Sequence, residues 1–493
     1  MNKIICIGNG SANADQQARS IALKNNIIYH GILDVKTELT PGCYHTSVQD
    51  ITLSYLLDKV ADSNDFKFIV LDHDKNEYDL DSYRGTCELI DTLHNHYIVE
   101  FVNNDRKNLS IIDFKKNKSF CILPFIQLHV SETSDVKLCC ISSDPIKKYT
   151  SGFDFQTDAE MEQIRQDMLQ GQKTHYCKNC YSFEDGGADS PRTRDTKEWL
   201  QKLEINSIDD IKTNLISYDI RNDNLCNLAC RMCNPQFSSQ LEKEYQKIDL
   251  FWPTIPKSIG FNDIVDIDTV KHIYVAGGEP SLLPEFRKFL KRAVAAGRTD
   301  LDIRMNTNGT NLNTEFRDLL SKFSDPVITI SLDGFDQVNK YIRWPSNWET
   351  IIATAKALTK ITKNLSFNVT VSIWNISKLS SLIDFLDQEF PTTPILLNRL
   401  TEPKSQRFDT FPDKDVAIAD LIKIKQSIHY QQDLSFRNKV DFYINELVSS
   451  DVDLVALKEF FSYNDKLDKS RNVALDDYIP ELETCRALIT KQI

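Results

Sequence analysis

Apolar runs of strand length recur along the chain, separated mostly by stretches with helical periodicity. Near the N-terminus they are "KIICIGNG", "IIYHGIL", "FKFIVLDH" and "HYIVEFV", with "SANADQQARSIALKN" patterned as a helix after the first. This alternation predicts a small α/β domain over residues 1–112. A second series fills residues 213–405: "NLISYDI", "HIYVAGG", "LDIRMNTN", "VITISLD", "NVTVSIW" and "TPILLNR". These strand–helix repeats predict a parallel sheet covered by helices, doubly wound or a partial barrel. In either architecture the chemistry sits at the carboxyl ends of the strands. Residues 406–493 have a mainly helical pattern. Their surface-rich stretches "FFSYNDKLDKSRN" and "DDYIPELE" suggest only packing or contact. Residues 113–212 keep neither rhythm, and their polar run "EDGGADSPRTR" is expected to be irregular.

Composition narrows the class. A chain of 493 residues exceeds one ordinary hydrophobic core, and about two to four domains are expected. Hydrophobic content of 41% with 26% charged residues describes a soluble globular protein. The formal charge of −13 argues against a duplex nucleic-acid partner, which needs a strong basic face. No apolar run approaches the length of a membrane span. Ile4–Ile7 meets glycine at once, which marks a first strand rather than a signal peptide. The expected location is therefore the cytoplasm. Gly8-Asn9-Gly10-Ser11 follows that strand. Such a turn can hold an anion on open backbone amides, but tight strand–helix turns use glycine anyway.

Twelve cysteines change the picture more than charge does. Cys6, Cys43, Cys87 and Cys485 stand alone; Cys121, Cys139, Cys140, Cys177 and Cys180 form a loose set. Cys226, Cys230 and Cys233 form a tight one, just past the strand "NLISYDI". A chain of this size needs no disulfide staples, and grouping points to metal centres. A structural zinc site wants a fourth ligand near by, and this loop has none: no histidine follows until His272 and no cysteine until Cys485. Three thiolates suit a [4Fe–4S] cube with one iron left open to an exogenous chelator. A zinc knuckle completed from elsewhere, or three buried thiols, is the plainer alternative.

Cys226-x-x-x-Cys230-x-x-Cys233 resembles the signature of the radical S-adenosylmethionine (SAM) enzymes, and the later strand ends agree. "GGEP" at Gly277, Gly278, Glu279 and Pro280 is similar to the family's glycine-rich SAM-binding turn. "MNTNG", with Asn306 and Asn308, resembles the third strand end. Ser331 and Asp333 of "SLDG", with the later Arg343, resemble the fourth, whose side chains meet the ribose or the methionine carboxylate. Ile373 and Asn375 of "SIWN" stand at the fifth position, under the adenine. Met232 replaces an aromatic residue common before the last cysteine, and a thioether still packs against adenine. The resemblance implies a partial (β/α)6 radical SAM barrel and a cluster coordinated by three cysteines and SAM. It also implies reduction by a flavodoxin- or ferredoxin-type donor, and a 5′-deoxyadenosyl radical that abstracts hydrogen from substrate.

The loose set, "Cys-x-x-Pro-Phe" through Cys139-Cys140 to Cys177-x-x-Cys180, resembles the auxiliary-cluster segment called twitch or SPASM. The resemblance implies an auxiliary [4Fe–4S] cluster on Cys121, Cys140, Cys177 and Cys180, with Cys139 competing with Cys140. A Cys₄ zinc site is the alternative. The segment precedes the barrel here, whereas in many relatives it follows. Glu184, Asp185, Arg192 and Arg194 are candidates to line a polar substrate entrance, or else belong to an ordinary solvated loop. The expected function is radical modification of a peptide or protein. Modification of a nucleotide, sugar or other small metabolite is the second reading, and a non-catalytic iron–sulfur scaffold the third.

Overall fold

The structure, a computed structural model, describes residues 117–490 apart from 132, 186–189, 206, 222 and 254–259; within residues 1–116 it describes the backbone of seven strands. The chain divides into two compact units, residues 1–123 with 163–212, and residues 124–162 with 213–493.

In the first unit, β1 (Lys3–Gly8), β2 (Ile28–Asp34), β3 (Cys43–His45), β4 (Phe66–Leu71) and β5 (Glu77–Asp79) form one sheet in the order β3-β2-β1-β4-β5. All pairs are parallel except β4–β5. Two further strands, β6 (Cys87–Asp91) and β7 (Tyr97–Phe101), pair antiparallel. The four apolar runs read from the sequence thus become β1, β2, β4 and β7. The helix expected between the first two, and Asn9-Gly10-Ser11 of the glycine turn, lie outside the described residues. Helix α1 (Lys178–Asp185) and helix α2 (Pro191–Lys202) follow in this unit. Part of the run expected to be irregular is therefore helical. The reason is local: Ser190 and Thr193 form a reciprocal capping box, and Pro191 occupies the first turn, where its missing N–H costs nothing.

The second unit is built on a nine-stranded sheet. Its spine is β11 (Ser217–Ile220), β12 (His272–Val275), β13 (Asp302–Thr307), β14 (Val327–Ser331), β15 (Leu365–Val371) and β16 (Ile395–Arg399). These six are parallel neighbours in chain order. The crossovers carry α3 (Ser239–Lys247), α4 (Pro284–Ala295), α5 (Thr314–Leu320), α6 (Gln337–Ile342), α7 (Trp348–Leu358) and α8 (Leu379–Glu389). Three strands the pattern does not predict extend the sheet beyond β11: β8 (Gln127–Val130), parallel to β11, then the antiparallel β9 (Asp135–Lys137) and β10 (Lys147–Lys148). Helices α9 (Lys414–Ile424), α10 (Leu434–Ser449) and α11 (Leu454–Arg471) follow β16.

Alternation along the strands gives the sheet two unlike faces. One carries Ile220, Ile273, Val275, Ile303, Met305, Ile328, Ile330, Phe367 and Val369, all buried. Each such side chain contributes about 1.5–3 kcal/mol by leaving water. In the same unit Phe286 and Phe289 of α4 pack on Phe261, the first tilted and the second edge-on. The opposite face carries Asp219, Tyr274, Arg304, Asn306, Thr329, Ser331, Asn368 and Thr370. Strand ends and the polar face together position the site.

Candidate active site

The loop after β11 holds Cys226, Cys230 and Cys233 in one packed cluster with Leu228 and Met232. The segment between the cysteines is neither helix nor strand, so its backbone groups need partners elsewhere. They find them. Ala229 N–H donates to the Trp344 carbonyl at 2.6 Å and Arg231 N–H to the Ile342 carbonyl at 2.8 Å. The Ala229 carbonyl accepts from Arg471 Nη2 at 2.7 Å, and the Arg231 carbonyl from the Tyr463 hydroxyl at 2.9 Å. Other segments thus impose the shape of this loop.

Burial pushes all three thiols upward. For Cys226 and Cys233 the neighbouring Cys230 adds to the effect, and Cys233 reaches about 12. Beside Cys230 the Arg343 guanidinium opposes the rise. Alone, these thiols stay protonated at neutral pH; a bound cation supplies the charge that makes them thiolates. Among the described residues no three Cys, His, Asp or Glu side chains converge as a ready-made metal site. Such convergence is what a single ion needs, whereas a cube spreads its ligands over separate irons. Two N–H donors face the sulfurs: Asn308 Nδ2 is 4.0 Å from Cys226 Sγ, and Arg343 Nη1 is 4.0 Å from Cys230 Sγ. Three clustered thiols with amide and guanidinium donors beside them fit an iron–sulfur cluster.

The glycine turn lies against this loop. Gly277 and Gly278 have φ of +80° and +52°, and a Cβ on Gly278 would stand 2.5 Å from the Leu225 carbonyl oxygen. Glycine is therefore required here by the cysteine loop itself. Glu279 N–H donates to the same carbonyl at 2.8 Å. The buried Glu279 carboxylate accepts from Ser281 N–H and hydroxyl, the Thr307 hydroxyl and Asn308 N–H, at 2.6–3.1 Å. Its side chain ties the second strand end to the third. Pro280 opens the short helical turn that follows.

The fourth and fifth strand ends are joined similarly. Asp333 is fully buried and its carboxylate accepts from Thr370 N–H at 2.7 Å. Its other oxygen lies 2.5 Å from Arg343 Nε, in an ion pair not aligned as a hydrogen bond. Asn375 donates to the Asp333 and Thr370 carbonyls and accepts from Ser372 N–H. Ile373 is buried beside it. Met232, Asn306 and Ser331 are half-buried.

The loose cysteine set falls in two parts. In the first unit Cys121, Cys177 and Cys180 face one another closely enough that burial and then Cys177 push the Cys121 thiol up. Arg192, almost wholly buried, pairs with Glu184 and donates to the carbonyl of Phe120, the residue before Cys121. That pair braces the cysteine turn. Asp185 and Arg194 make exposed pairs with Lys173 and Asp195. Cys139 and Cys140 belong to the second unit, where Cys140 lies near Arg221.

Two polar groups of the second unit escape the sequence reading. On the polar face Asp219 faces His129 Nδ1 at 3.1 Å and Arg221 Nε at 3.0 Å, with Arg221 5.5 Å from the ring centre of Tyr274. Arg304 and Asp302 pair on the same face at 3.1 Å. Their signal was a polar residue at every second strand position. The other group, Arg231 with α11, left almost none.

A family model described as the Radical SAM superfamily matches residues 224–386. The sporulation killing factor maturation protein SkfB of Bacillus subtilis is 22% identical over 170 residues, 34% of this chain. The chain spans 39% of the length of that curated relative. Among solved structures, Streptococcus suis SuiB bound to precursor peptide SuiA matches with a TM-score of 0.28 and 12% identity, covering 64% of this chain and 67% of that one. The structure of anSMEcpe with bound AdoMet matches with a TM-score of 0.32 and 16% identity, covering 48% and 64%. The chain carries a radical SAM superfamily domain.

Proposed function

We propose that the chain is a radical SAM enzyme acting on a peptide or protein substrate. The observation that carries this is the packed triad Cys226, Cys230 and Cys233, with Gly278 closed against its loop and N–H donors beside two of its sulfurs. In this reading the three thiolates hold a [4Fe–4S] cluster and the six-stranded spine curves into a partial barrel. When bound, cluster and SAM together supply a one-electron cleavage that yields a carbon-centred radical able to take hydrogen from substrate.

The chain's own residues bind and orient. Backbone groups of Gly277–Pro280 receive the SAM amino group, and Glu279 fixes that turn. Met232 and Ile373 pack the adenine, while Asn306, Asn308 and Ser331 offer polar groups to the ribose. Arg343, paired with Asp333 and beside Cys230, would meet the carboxylate of SAM, and Asn375 locks the fifth strand end. Cys121, Cys177 and Cys180 are three of the four thiols expected to serve an auxiliary iron–sulfur cluster, the fourth being Cys140 or Cys139. A reduced flavodoxin- or ferredoxin-type protein supplies the electron. The ion-paired polar face of Asp219, Arg221 and Arg304 suits a substrate rich in amide and charged groups, and a relative named for maturation agrees with that class.

Anaerobic reconstitution tests the reading. Two [4Fe–4S] clusters, about eight irons per chain, are expected, together with reductant-dependent 5′-deoxyadenosine detected by chromatography. Replacing Cys226, Cys230 and Cys233 together should remove roughly half the iron and all cleavage of SAM. Zinc in place of iron, or no 5′-deoxyadenosine from iron-loaded protein, would sink it.

A further inference from the structure

Helix α11 stands far along the chain from the cysteine loop, yet its inner face meets that loop through a buried polar node. Arg231, between Cys230 and Met232, is fully buried. Its Nε donates to the Tyr341 carbonyl at 2.8 Å, Nη1 to Asn464 Oδ1 at 2.9 Å and Nη2 to Asp468 Oδ1 at 2.5 Å. Its guanidinium lies 3.5 Å from the centre of the Tyr341 ring. The Tyr341 hydroxyl donates to Asp468 at 2.9 Å, and Trp374 Nε1 donates to Asn464 Oδ1 at 2.9 Å. Three segments, the cysteine loop, the end of α6 and the turn after β15, therefore meet one helix face. Each neighbours a proposed binding residue: Cys230, Arg343 two positions past Tyr341, and Ile373 beside Trp374.

Stability alone is a poor account of this node. A buried ion pair often gains nothing over apolar residues of equal volume, because desolvation offsets the attraction. What a guanidinium fork adds is direction, since its N–H groups and their acceptors must align. We propose that Arg231, Asn464 and Asp468 are positioning residues of the iron–sulfur site: α11 sets the geometry of Cys230 relative to the loops of Arg343 and Ile373. The inference rests on the function proposed above.

The test compares wild type with Arg231→Met/Asp468→Leu, which replaces both charges by apolar groups and leaves no buried charge unpaired. Iron content, melting temperature and the electron paramagnetic resonance spectrum of the reduced cluster are read with and without SAM. The double variant should melt near wild type and bind iron, while its SAM affinity, from spectral titration, falls about ten- to a hundredfold. Arg231→Lys keeps the charge without the fork; it should show the same loss, and it decides the matter if the double variant does not fold. A folded, iron-loaded variant whose SAM titration and spectrum match wild type overturns the proposal and leaves the node as packing. Wild type that takes up no iron, or whose spectrum ignores SAM, instead overturns the functional reading beneath it.

Discussion

At the scale of single residues, chemistry written in side chains was legible and chemistry written in contacts was not. The cysteine triad announces itself by spacing, because thiols are few and three within eight positions need a reason. Gly278 was expected only as part of a SAM-binding turn. Its nearest constraint is the Leu225 carbonyl, which only the folded chain brings beside it. The same holds for Glu279, whose carboxylate is taken up by four donors from two strand ends. Gly278→Ala combines a left-handed φ with a Cβ 2.5 Å from that oxygen, and should cost at least about 1–2 kcal/mol. The cysteine loop has to move to admit the methyl group, so iron retention after reconstitution should fall more steeply than the melting temperature. Full iron at unchanged melting would show that the close approach is dispensable.

Among elements, periodicity served the six spine strands and failed β8, β9 and β10. The six spine strands alternate apolar and polar residues against long helical crossovers, and each was visible. Strand β8 is only "QLHV", joined directly to the short helix Leu123–Ile126, so its alternation is too brief to stand apart from the apolar run before it. Its value lies in pairing, since His129 stands opposite Asp219 in the register of β8 and β11. Burial alone would raise the Asp219 carboxyl; His129 and Arg221 override it and hold it well below the ordinary carboxylate range. A depressed carboxyl stabilises the fold at every pH above its unfolded value, about 3.9, and loses that contribution as acid takes the pH below. Asp219→Asn leaves Arg221 without its partner and should cost on the order of 3 kcal/mol near pH 6. By urea unfolding, the gap to wild type should hold down to about pH 5 and close toward pH 2. A gap that widens in acid would mean that the carboxylate is not what the cation stabilises. Helix α11 was visible as a helix, but its partners were not: Arg231 and Asp468 are 237 positions apart.

For the whole molecule, we propose that the cysteines of the two units do two different jobs. Cys226, Cys230, Cys233 and every residue proposed to meet SAM belong to the second unit, whereas Cys121, Cys177 and Cys180 belong to the first. The sequence reading drew one boundary at 212, because the strand–helix repeats begin just after it. The fold instead gives residues 124–162 to the second unit, through strands too short to show in the pattern. If each unit supports its own cluster, Cys177→Ala/Cys180→Ala should remove the first unit's iron and leave the second unit's thiol cluster intact. Reductant-dependent formation of 5′-deoxyadenosine without substrate should then continue near the wild-type rate, while turnover of the true substrate fails. Both thiols are buried against Cys121, and Tyr181 of the same helix donates to the Ser119 carbonyl at 3.2 Å. Loss of metal there can loosen the first unit, so circular dichroism and iron content must accompany the assay. A folded double variant that retains half its iron but cleaves no SAM would place the first unit's cluster on the path of the incoming electron. The separation of jobs would then be wrong, even with the cysteine assignments right.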